Sequence, residues 1–316
     1  MALTARCARR DRISTGQGRL EVLKRRDFIA GGLGSGRKCL SRQPHAVSSP
    51  PMNPMVNIAV RAAREASKVI TRNFNRVDRL TIADKGSNDF VTEVDRNAEA
   101  AIINVLREKF PSHGILAEES GHQAGDDYQW VIDPLDGTTN FLHGFPQFAI
   151  SIALKVKGRL ELGVVYDPIN EEMFTASRGQ GALLNDHKIR VSQRKSLDGA
   201  LLGTGLPYRD FRFEENYMGM LRDLIKESAG IRRPGSAALD FAYLAAGRTD
   251  GFWELGLSEW DFAAGAVLVR EAGGLVTDIG GGERFLETGN VIAGNVKVHN
   301  AMLRRIRPHL DDKLTA

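Results

Sequence analysis

The stretch WVIDPLDGTTNFLHGFPQFAISIAL, residues 130–154, decides the fold of this chain. It opens with three apolar residues that predict a buried strand, and Asp133 and Asp136 follow directly. An acidic side chain at the end of a buried strand is costly unless it is paired or coordinates a cation. Pro134 cannot donate to a strand ladder, so we predict that the chain turns there and brings both carboxylates to one point.

The residues after Asp136 predict a place for an anion. Gly137 permits close approach of the backbone, and Thr138-Thr139-Asn140 has the composition of a helix start. The first N–H groups of a helix have no partner within it and favour a group such as phosphate. Carboxylates for a cation beside N–H groups for phosphate indicate metal-assisted phosphoryl transfer.

Further acidic residues begin or end apolar segments elsewhere in the chain. Glu118 follows the run ILA, residues 115–117, and Asp261 precedes the run FAAGAVLV, residues 262–269. Hard oxygen ligands with no histidine or cysteine nearby suit Mg²⁺, Mn²⁺ or Ca²⁺ better than zinc or copper. The seven histidines show no metal-ligand spacing, and the body has no Gly-x-Ser-x-Gly motif for a nucleophile. The sequence therefore predicts a carboxylate site for a hard cation.

The body of the chain alternates between helical and strand-like patterns. Apolar residues at three- and four-residue steps predict a helix over 54–74, and a second helix is predicted over about 93–110. Residues 147–192 predict an antiparallel meander. The second half alternates helices near 215–228, 236–247, 260–272 and 297–307 with strands near 200–203, 250–254 and 275–279. We therefore predict layered helices and sheets in two halves, 52–195 and 196–316.

Residues 1–51 differ from the rest in composition. They contain eleven Lys or Arg against three Asp or Glu, and they hold both cysteines, Cys7 and Cys39. We predict a disordered basic leader there, which a mis-assigned start or a targeting segment would explain. This leader accounts for the net charge of +4, so the body is mildly acidic and shows no evident nucleic-acid surface.

The composition of the body excludes several classes of protein. Without cysteine it has no disulfide, zinc-thiolate site or thiol nucleophile, which agrees with a cytoplasmic location. No apolar run approaches the roughly 18 residues that a membrane-spanning helix needs. We therefore expect a cytoplasmic protein that makes no membrane contact.

Two long motifs carry a resemblance to a known family. The stretch 130–154 resembles the first signature of the inositol monophosphatase family, and WDFAAGAVLVREAGG, residues 260–274, resembles the second. GSAALDFAYLAAGRTDGFWE, residues 235–254, matches as well, and the likeness covers roughly residues 53–308. It looks closest to the bacterial SuhB type. The resemblance implies an α+β fold, a layered αβαβα sandwich.

The resemblance also implies a site with two to three Mg²⁺ ions. The implied metal ligands are Glu118, Asp133, the Leu135 carbonyl, Asp136 and Asp261. Asp95 and Thr138 would orient and deprotonate the attacking water. Glu118 is also implied to be catalytic, and it would help to hold a weaker third ion. The implied substrate-binding residues are Asp136, Gly137, Thr138, Ala237, Glu254 and Asp261.

The implied reaction is hydrolysis of inositol 1-phosphate, a small phosphorylated polyol, without a covalent intermediate and with sensitivity to lithium. One alternative is a sister phosphatase acting on fructose 1,6-bisphosphate, a nucleotide 3′-phosphate or histidinol phosphate. Another is a transcription antitermination factor that contacts RNA polymerase and elongation factors. The resemblance further implies a homodimer.

Overall fold

The computed structural model describes residues 53–74, 82–86, 89–208 and 211–315. For residues 82–86, 89–91 and 315 it describes the backbone only. The predicted leader, 1–51, lies outside the described residues. The helices are α1 (Pro54–Asn73), α2 (Glu93–Lys109), α3 (Thr138–Leu142), α4 (Glu214–Glu227), α5 (Ala237–Ala245), α6 (Glu259–Glu271), α7 (Phe285–Thr288), α8 (Val296–Ile306) and α9 (Asp312–Thr315).

The strands of the described chain fall into three sheets. In chain order they are β1 (Ile82–Gly86), β2 (Asp89–Thr92), β3 (Gly114–Ala117), β4 (Gly121–Gln123), β5 (Tyr128–Asp136), β6 (Ala149–Val156), β7 (Arg159–Asp167), β8 (Glu172–Ser177), β9 (Gly181–Leu184), β10 (His187–Ile189), β11 (Leu201–Thr204), β12 (Gly230–Arg232), β13 (Gly251–Glu254), β14 (Leu275–Asp278) and β15 (Val291–Gly294). The larger sheets have the orders β10-β9-β8-β7-β6-β5-β3-β4 and β12-β11-β13-β15-β14, and β1 pairs with β2.

The first layer consists of α1 and α2. In α1 the buried residues recur at three- and four-residue steps, as the apolar pattern predicts, and the Asn53 side chain caps Met55 N at 3.0 Å. These residues join the buried face of α2 and one face of the eight-stranded sheet in a single apolar cluster.

The middle layer consists of α5 and α6. Eight of the nine residues of α5 are buried, and so is the continuous run 262–269 of α6, because both faces of this layer are covered by β-structure. One apolar cluster joins them to the other face of the eight-stranded sheet and to the five-stranded sheet. The outer face of the five-stranded sheet packs on α4 and α8. The layers therefore alternate αβαβα, and the predicted fold class is confirmed.

The antiparallel meander is also found, in strands β6 to β10. Its turns at Lys157-Gly158 and Asn185-Asp186 have positive φ at both residues, which is the two-residue turn that suits the twist of a hairpin. Predicted helix ends agree with the structure to within about two residues. The described residues contain no helix long and apolar enough to cross a membrane.

The proposed boundary near residue 195 lies in the link between β10 and β11, where the chain leaves one large sheet for the other. Contacts join the whole described body into one compact unit. The division into halves 52–195 and 196–316 stays a prediction.

Candidate active site

A β-bulge places Asp133 and Asp136 on the same side of β5. Side chains three residues apart in a regular strand point to opposite faces. In β5, however, the register against β6 shifts between Asp133 and Asp136, and both residues line one cavity. The predicted turn at Pro134 is wrong in detail: the strand continues through it, and the bulge produces the convergence. Leu135 N donates to Asp133 Oδ1 at 2.9 Å.

The turn itself comes at Gly137, whose φ is +99°. A Cβ atom there would lie 2.9 Å from the Gln147 carbonyl oxygen, so both the backbone angle and the space require glycine. The chain then enters α3, as predicted, with Gly137 as its N-cap. The N–H groups of this first turn lack intrahelical acceptors and border the cavity.

Asp95 lies in the first turn of α2 and contacts the start of α3. Its Oδ1 lies 3.0 Å from Thr138 Oγ1, and its Oδ2 accepts hydrogen bonds from the backbone N–H and the hydroxyl of Thr92. Thr92 is the N-cap of α2, so a capping box fixes the Asp95 carboxylate. Burial raises the pKa of Asp95, and the bonds from Thr92 and Thr138 partly offset that rise.

Glu118 follows β3, and Glu99 holds the loop that carries it. The Glu99 side chain lies on α2, one turn after Asp95, and is only 3% exposed. Its two oxygens accept from Glu119 N at 2.8 Å and Ser120 N at 2.9 Å. Glu118 N donates to the Ile132 carbonyl at 3.1 Å, so the loop is held from both sides.

Two carboxylates are oriented by helix starts. Asp136 Oδ2 accepts from Ser236 Oγ at 2.6 Å and from Ala238 N at 2.7 Å, at the first turn of α5. Asp261 is the third residue of α6, and its Oδ2 accepts from Ser258 N at 2.7 Å in a second capping box.

One cavity of about 740 Å³ unites these elements. It is lined by nine of the ten residues singled out from the sequence: Glu118, Asp133, Leu135, Asp136, Gly137, Thr138, Ala237, Glu254 and Asp261. The tenth, Asp95, reaches it through Thr138. A groove of similar size at the β10–β11 link contains the Arg194–Asp250 ion pair and none of these residues. The structure thus brings the predicted residues together, while their individual roles stay predictions.

The cavity brings several carboxylates close together. The pKa of Asp133 is raised well above its usual range by burial and by the charges of three carboxylates, which belong to Glu118, Asp136 and Asp261. In the described chain, no three acidic, histidine or cysteine side chains stand ready around a common metal position. Four carboxylates with mutual repulsion nevertheless fit a hard divalent cation.

The opposite wall of the cavity comes from β11, α5 and β13. Glu254 ends β13 and lies against Gly205, where an added Cβ would be 1.8 Å from Glu254 Oε1. Asp240 lies nearby on α5, and burial, Glu254 and Asp136 raise its pKa well above the usual range. The Arg233 guanidinium lies over the Tyr208 ring at 4.7 Å, and both residues belong to the cavity lining.

Sequence reasoning missed Glu99, Ser236 and Asp240. Glu99 could have been found, because it is four residues after Asp95 and therefore on the same face of α2. Asp240 is an acidic residue inside the apolar helix AALDFAYLA, which is a signal in itself. Ser236 gave no signal beyond a plausible N-cap, because its partner Asp136 is 100 residues away.

Five alternating layers, with a cavity that combines four carboxylates and a helix start, define the class: the fold is that of a phosphatase. The Inositol monophosphatase family profile matches residues 52–311. A Nus factor SuhB of Pseudomonas aeruginosa is 57% identical over 269 residues, covering 83% of this chain and 99% of the relative. The chain belongs to the inositol monophosphatase family and resembles its SuhB type.

Solved structures agree with this assignment. The extragenic suppressor protein suhB from Bartonella henselae superposes with a TM-score of 0.79 at 46% identity, covering 82% of this chain and 100% of that one. An inositol monophosphatase from Anabaena (Nostoc) sp. PCC 7120 superposes with a TM-score of 0.72 at 39% identity, covering 81% and 96%.

Proposed function

We propose that the protein is a Mg²⁺-dependent phosphomonoesterase that hydrolyses inositol 1-phosphate to inositol and phosphate. The observation that carries this proposal is the convergence of carboxylates from β3, β5 and α6 with the start of α3 on one cavity. The similarity to the Anabaena inositol monophosphatase supports the same reaction class.

The resemblance to the family suggests which residues would hold the cations. Glu118, Asp133 and the Leu135 carbonyl would hold one Mg²⁺, and a second would be shared by Asp133 with Asp136 and Asp261. Glu118 would also help a weaker third ion. When bound, the ions supply charge that acidifies water and stabilises the leaving oxygen.

Asp95 and Thr138 act on the attacking water. The Thr138 hydroxyl and the Asp95 carboxylate orient the water oxygen toward phosphorus, and the pair accepts the water proton as the new P–O bond forms. The P–O bond to the polyol breaks, and the departing alkoxide takes a proton from solvent. The raised pKa of Asp95 makes its carboxylate a stronger base than an ordinary aspartate.

Other residues bind the two ends of the substrate. The N–H groups of Gly137 and Thr138 donate to phosphate oxygens, because they have no acceptors within α3. Glu254 accepts from polyol hydroxyls, and the backbone of Ala237 borders the ring. We also infer the homodimer and the cytoplasmic location from the family alone.

Phosphate release from inositol 1-phosphate by the full chain tests this proposal. We expect activity with Mg²⁺, none with EDTA, and inhibition by lithium; the Asp136→Asn variant should bind Mg²⁺ weakly and lose activity. Hydrolysis of fructose 1,6-bisphosphate, a nucleotide 3′-phosphate or histidinol phosphate, but not inositol 1-phosphate, would assign a sister phosphatase. A folded wild-type protein inactive on all four esters would contradict the enzymatic proposal.

A second candidate function is that of a transcription antitermination factor contacting RNA polymerase and elongation factors. The observation that favours it is the 57% identity to a Nus factor SuhB. The two functions are separable by Asp136→Asn in a bacterial host that lacks its own SuhB-type protein. Growth supported by this catalytically inactive variant would favour the transcription role, whereas failure by the stably expressed variant would tie the cellular role to catalysis.

A further inference from the structure

The loop between β13 and α6, residues 255–258, joins two carboxylates of the cavity. Glu254 precedes this loop and Asp261 follows it in the first turn of α6, and residues 255–257 line the cavity between them. The loop has no regular secondary structure, so its shape depends on contacts with neighbouring segments. Whatever holds this loop therefore also fixes the shape of the cavity.

The segment 289–290, which precedes β15, holds the loop. Leu257 N donates to the Gly289 carbonyl at 3.0 Å, and Gly256 N donates to Asn290 Oδ1 at 3.0 Å. The two segments are in close contact, because a Cβ atom added at Gly289 would lie 2.1 Å from the Leu257 carbonyl oxygen. The Asn290 side chain is only 8% exposed, so its bond to the loop is sheltered from water.

The other end of the Asn290 amide binds the C-terminal tail, residues 310–315. Asn290 Nδ2 donates to the Leu314 carbonyl at 3.1 Å, and the Leu314 side chain is 1% exposed within the apolar cluster under α4 and α8. One side chain must therefore accept from the loop and donate to the tail. An asparagine can do both, whereas an aspartate can only accept.

The tail is also fixed at its beginning. The His309 carbonyl accepts from Asn216 Nδ2 at 2.8 Å, and His309 Nε2 lies 2.8 Å from Asp223 Oδ2. Both partners belong to α4. A chain terminus is ordered where it is tied down in this way, so the tail can support the segment that it contacts.

We infer that the tail, residues 310–315, is part of the active-site wall: the tail holds Asn290, and Asn290 holds the loop 255–258. Asn290 is thus a positioning residue, because it acts on the cavity through the loop. The kinetic consequence rests on the proposed phosphatase function, whereas the contact does not. Asp95 and Thr138 lie on other elements, so loss of the tail should weaken substrate binding and change kcat little.

Hydrogen exchange without substrate tests the contact directly. In a chain that ends at Asp311, the Asn290 amide loses its acceptor and no longer fixes the loop. We expect the Gly256 amide to exchange about tenfold faster or more than in the full chain, as for a lost buried hydrogen bond. Asn290→Ala in the full chain should have the same effect.

Asn295→Ala is the matched control. Asn295 is 7% exposed, donates to Ser192 Oγ at 3.1 Å, and accepts from Lys297 N and Val298 N at 3.0 Å. It lies outside the cavity lining. This variant should lose stability, because it removes the cap of α8, but exchange at Gly256 should match the full chain.

Steady-state kinetics test the consequence for the reaction. We expect the KM for inositol 1-phosphate to rise about fivefold to tenfold in the shortened chain and in Asn290→Ala, with kcat within about twofold of wild type. Asn295→Ala should leave KM unchanged. In the Asn290→Ala background the deletion should raise KM by less than about twofold further, because both changes act through one contact.

Unchanged exchange at Gly256 in the folded, shortened chain would overturn the inference. Multiplied effects in the combined variant would also overturn it, as would an equal rise of KM in Asn295→Ala. If the shortened chain does not fold, Leu314→Ala, which weakens the anchor of the tail, takes its place with the same expected results. Wild-type inactivity on inositol 1-phosphate would count against the proposed reaction, and exchange at Gly256 alone then decides whether the tail holds the loop.

Discussion

The Thr138 hydroxyl lies 3.0 Å from Asp95 Oδ1 and 3.1 Å from the Leu135 carbonyl oxygen, although it has one proton to donate. Asp95 comes from α2 and Thr138 from α3, 43 residues apart, and the contact joins the acidic strand end to the first helical layer. Because the Thr92 capping box also orients Asp95, the carboxylate is held from both sides, and we expect the pair to take part in the proton transfer proposed above.

Removing the Thr138 hydroxyl should therefore slow the reaction without loss of folding. For Thr138→Ala we expect kcat to fall about 10²–10⁴-fold, the usual contribution of a general base arrangement, with Mg²⁺ affinity unchanged. Steady-state kinetics and calorimetry measure the two quantities. Thr71→Ala, which removes an exposed α1 hydroxyl bonded to the Ser67 carbonyl at 2.8 Å, serves as the control. A kcat within twofold of wild type would exclude Thr138 from the chemistry.

Glu99 should govern Mg²⁺ affinity through the loop of Glu118. In Glu99→Gln an amide N–H₂ must face one of the two backbone N–H groups that the carboxylate now accepts. We expect Mg²⁺ affinity, measured by calorimetry, to fall about tenfold or more, as for other partners behind metal ligands.

The control for Glu99 is Asp278→Asn. Asp278 accepts from the backbone N–H groups of Gly280, Gly282 and Arg284 in a loop that lies outside the cavity lining. Both variants should lose stability, but only Glu99→Gln should lose Mg²⁺ affinity. Equal Mg²⁺ affinities in the two variants would show that Glu99 stabilises the fold and does not affect the cation site.

The αβαβα fold was predicted from the resemblance that the two long motifs, residues 130–154 and 260–274, bear to a known family. The helix over 54–73 and the meander follow from short-range periodicity. The bulge at Pro134 was not predictable, because it depends on how β6 pairs with β5. Ser236 binds Asp136, which is 100 residues away, and Glu99 binds the backbone of Glu119, which is 20 residues away. Local sequence patterns cannot predict contacts between such distant residues.

Gly205 should prove essential for the placement of Glu254. In Gly205→Ala the new Cβ would overlap Glu254 Oε1 and displace the carboxylate from the polyol end of the cavity. We expect a KM for inositol 1-phosphate raised about tenfold, with cyclohexyl phosphate little affected. Gly230→Ala, whose Cβ would meet the flexible Arg232 Nη1 at 3.3 Å, is the control. Equal effects on both esters would mean that Glu254 does not contact hydroxyls.

His113 should make the stability of the protein depend on pH. Its ring stacks between Phe110 and Tyr128, with centroid distances of 4.7 Å to each, and its Nδ1 accepts from Trp130 Nε1 at 3.1 Å. This bond requires an unprotonated Nδ1, and burial lowers the pKa of His113, with Asp126 partly opposing.

Because the folded pKa of His113 lies below the unfolded value of about 6.5, its contribution is complete above that pH and is lost as pH falls toward the folded pKa. The raised pKa values of Asp133 and Asp240 have the opposite effect, because they make the unfolding free energy fall as pH rises. Wild type must therefore be compared with a variant to isolate the contribution of His113.

His113→Gln keeps an acceptor for Trp130 but does not titrate. Urea unfolding at pH 8 and pH 5 should show a larger loss of unfolding free energy in wild type than in His113→Gln. His122→Gln, at an exposed histidine of β4, should behave as wild type, and parallel pH profiles for all three proteins would contradict the assignment.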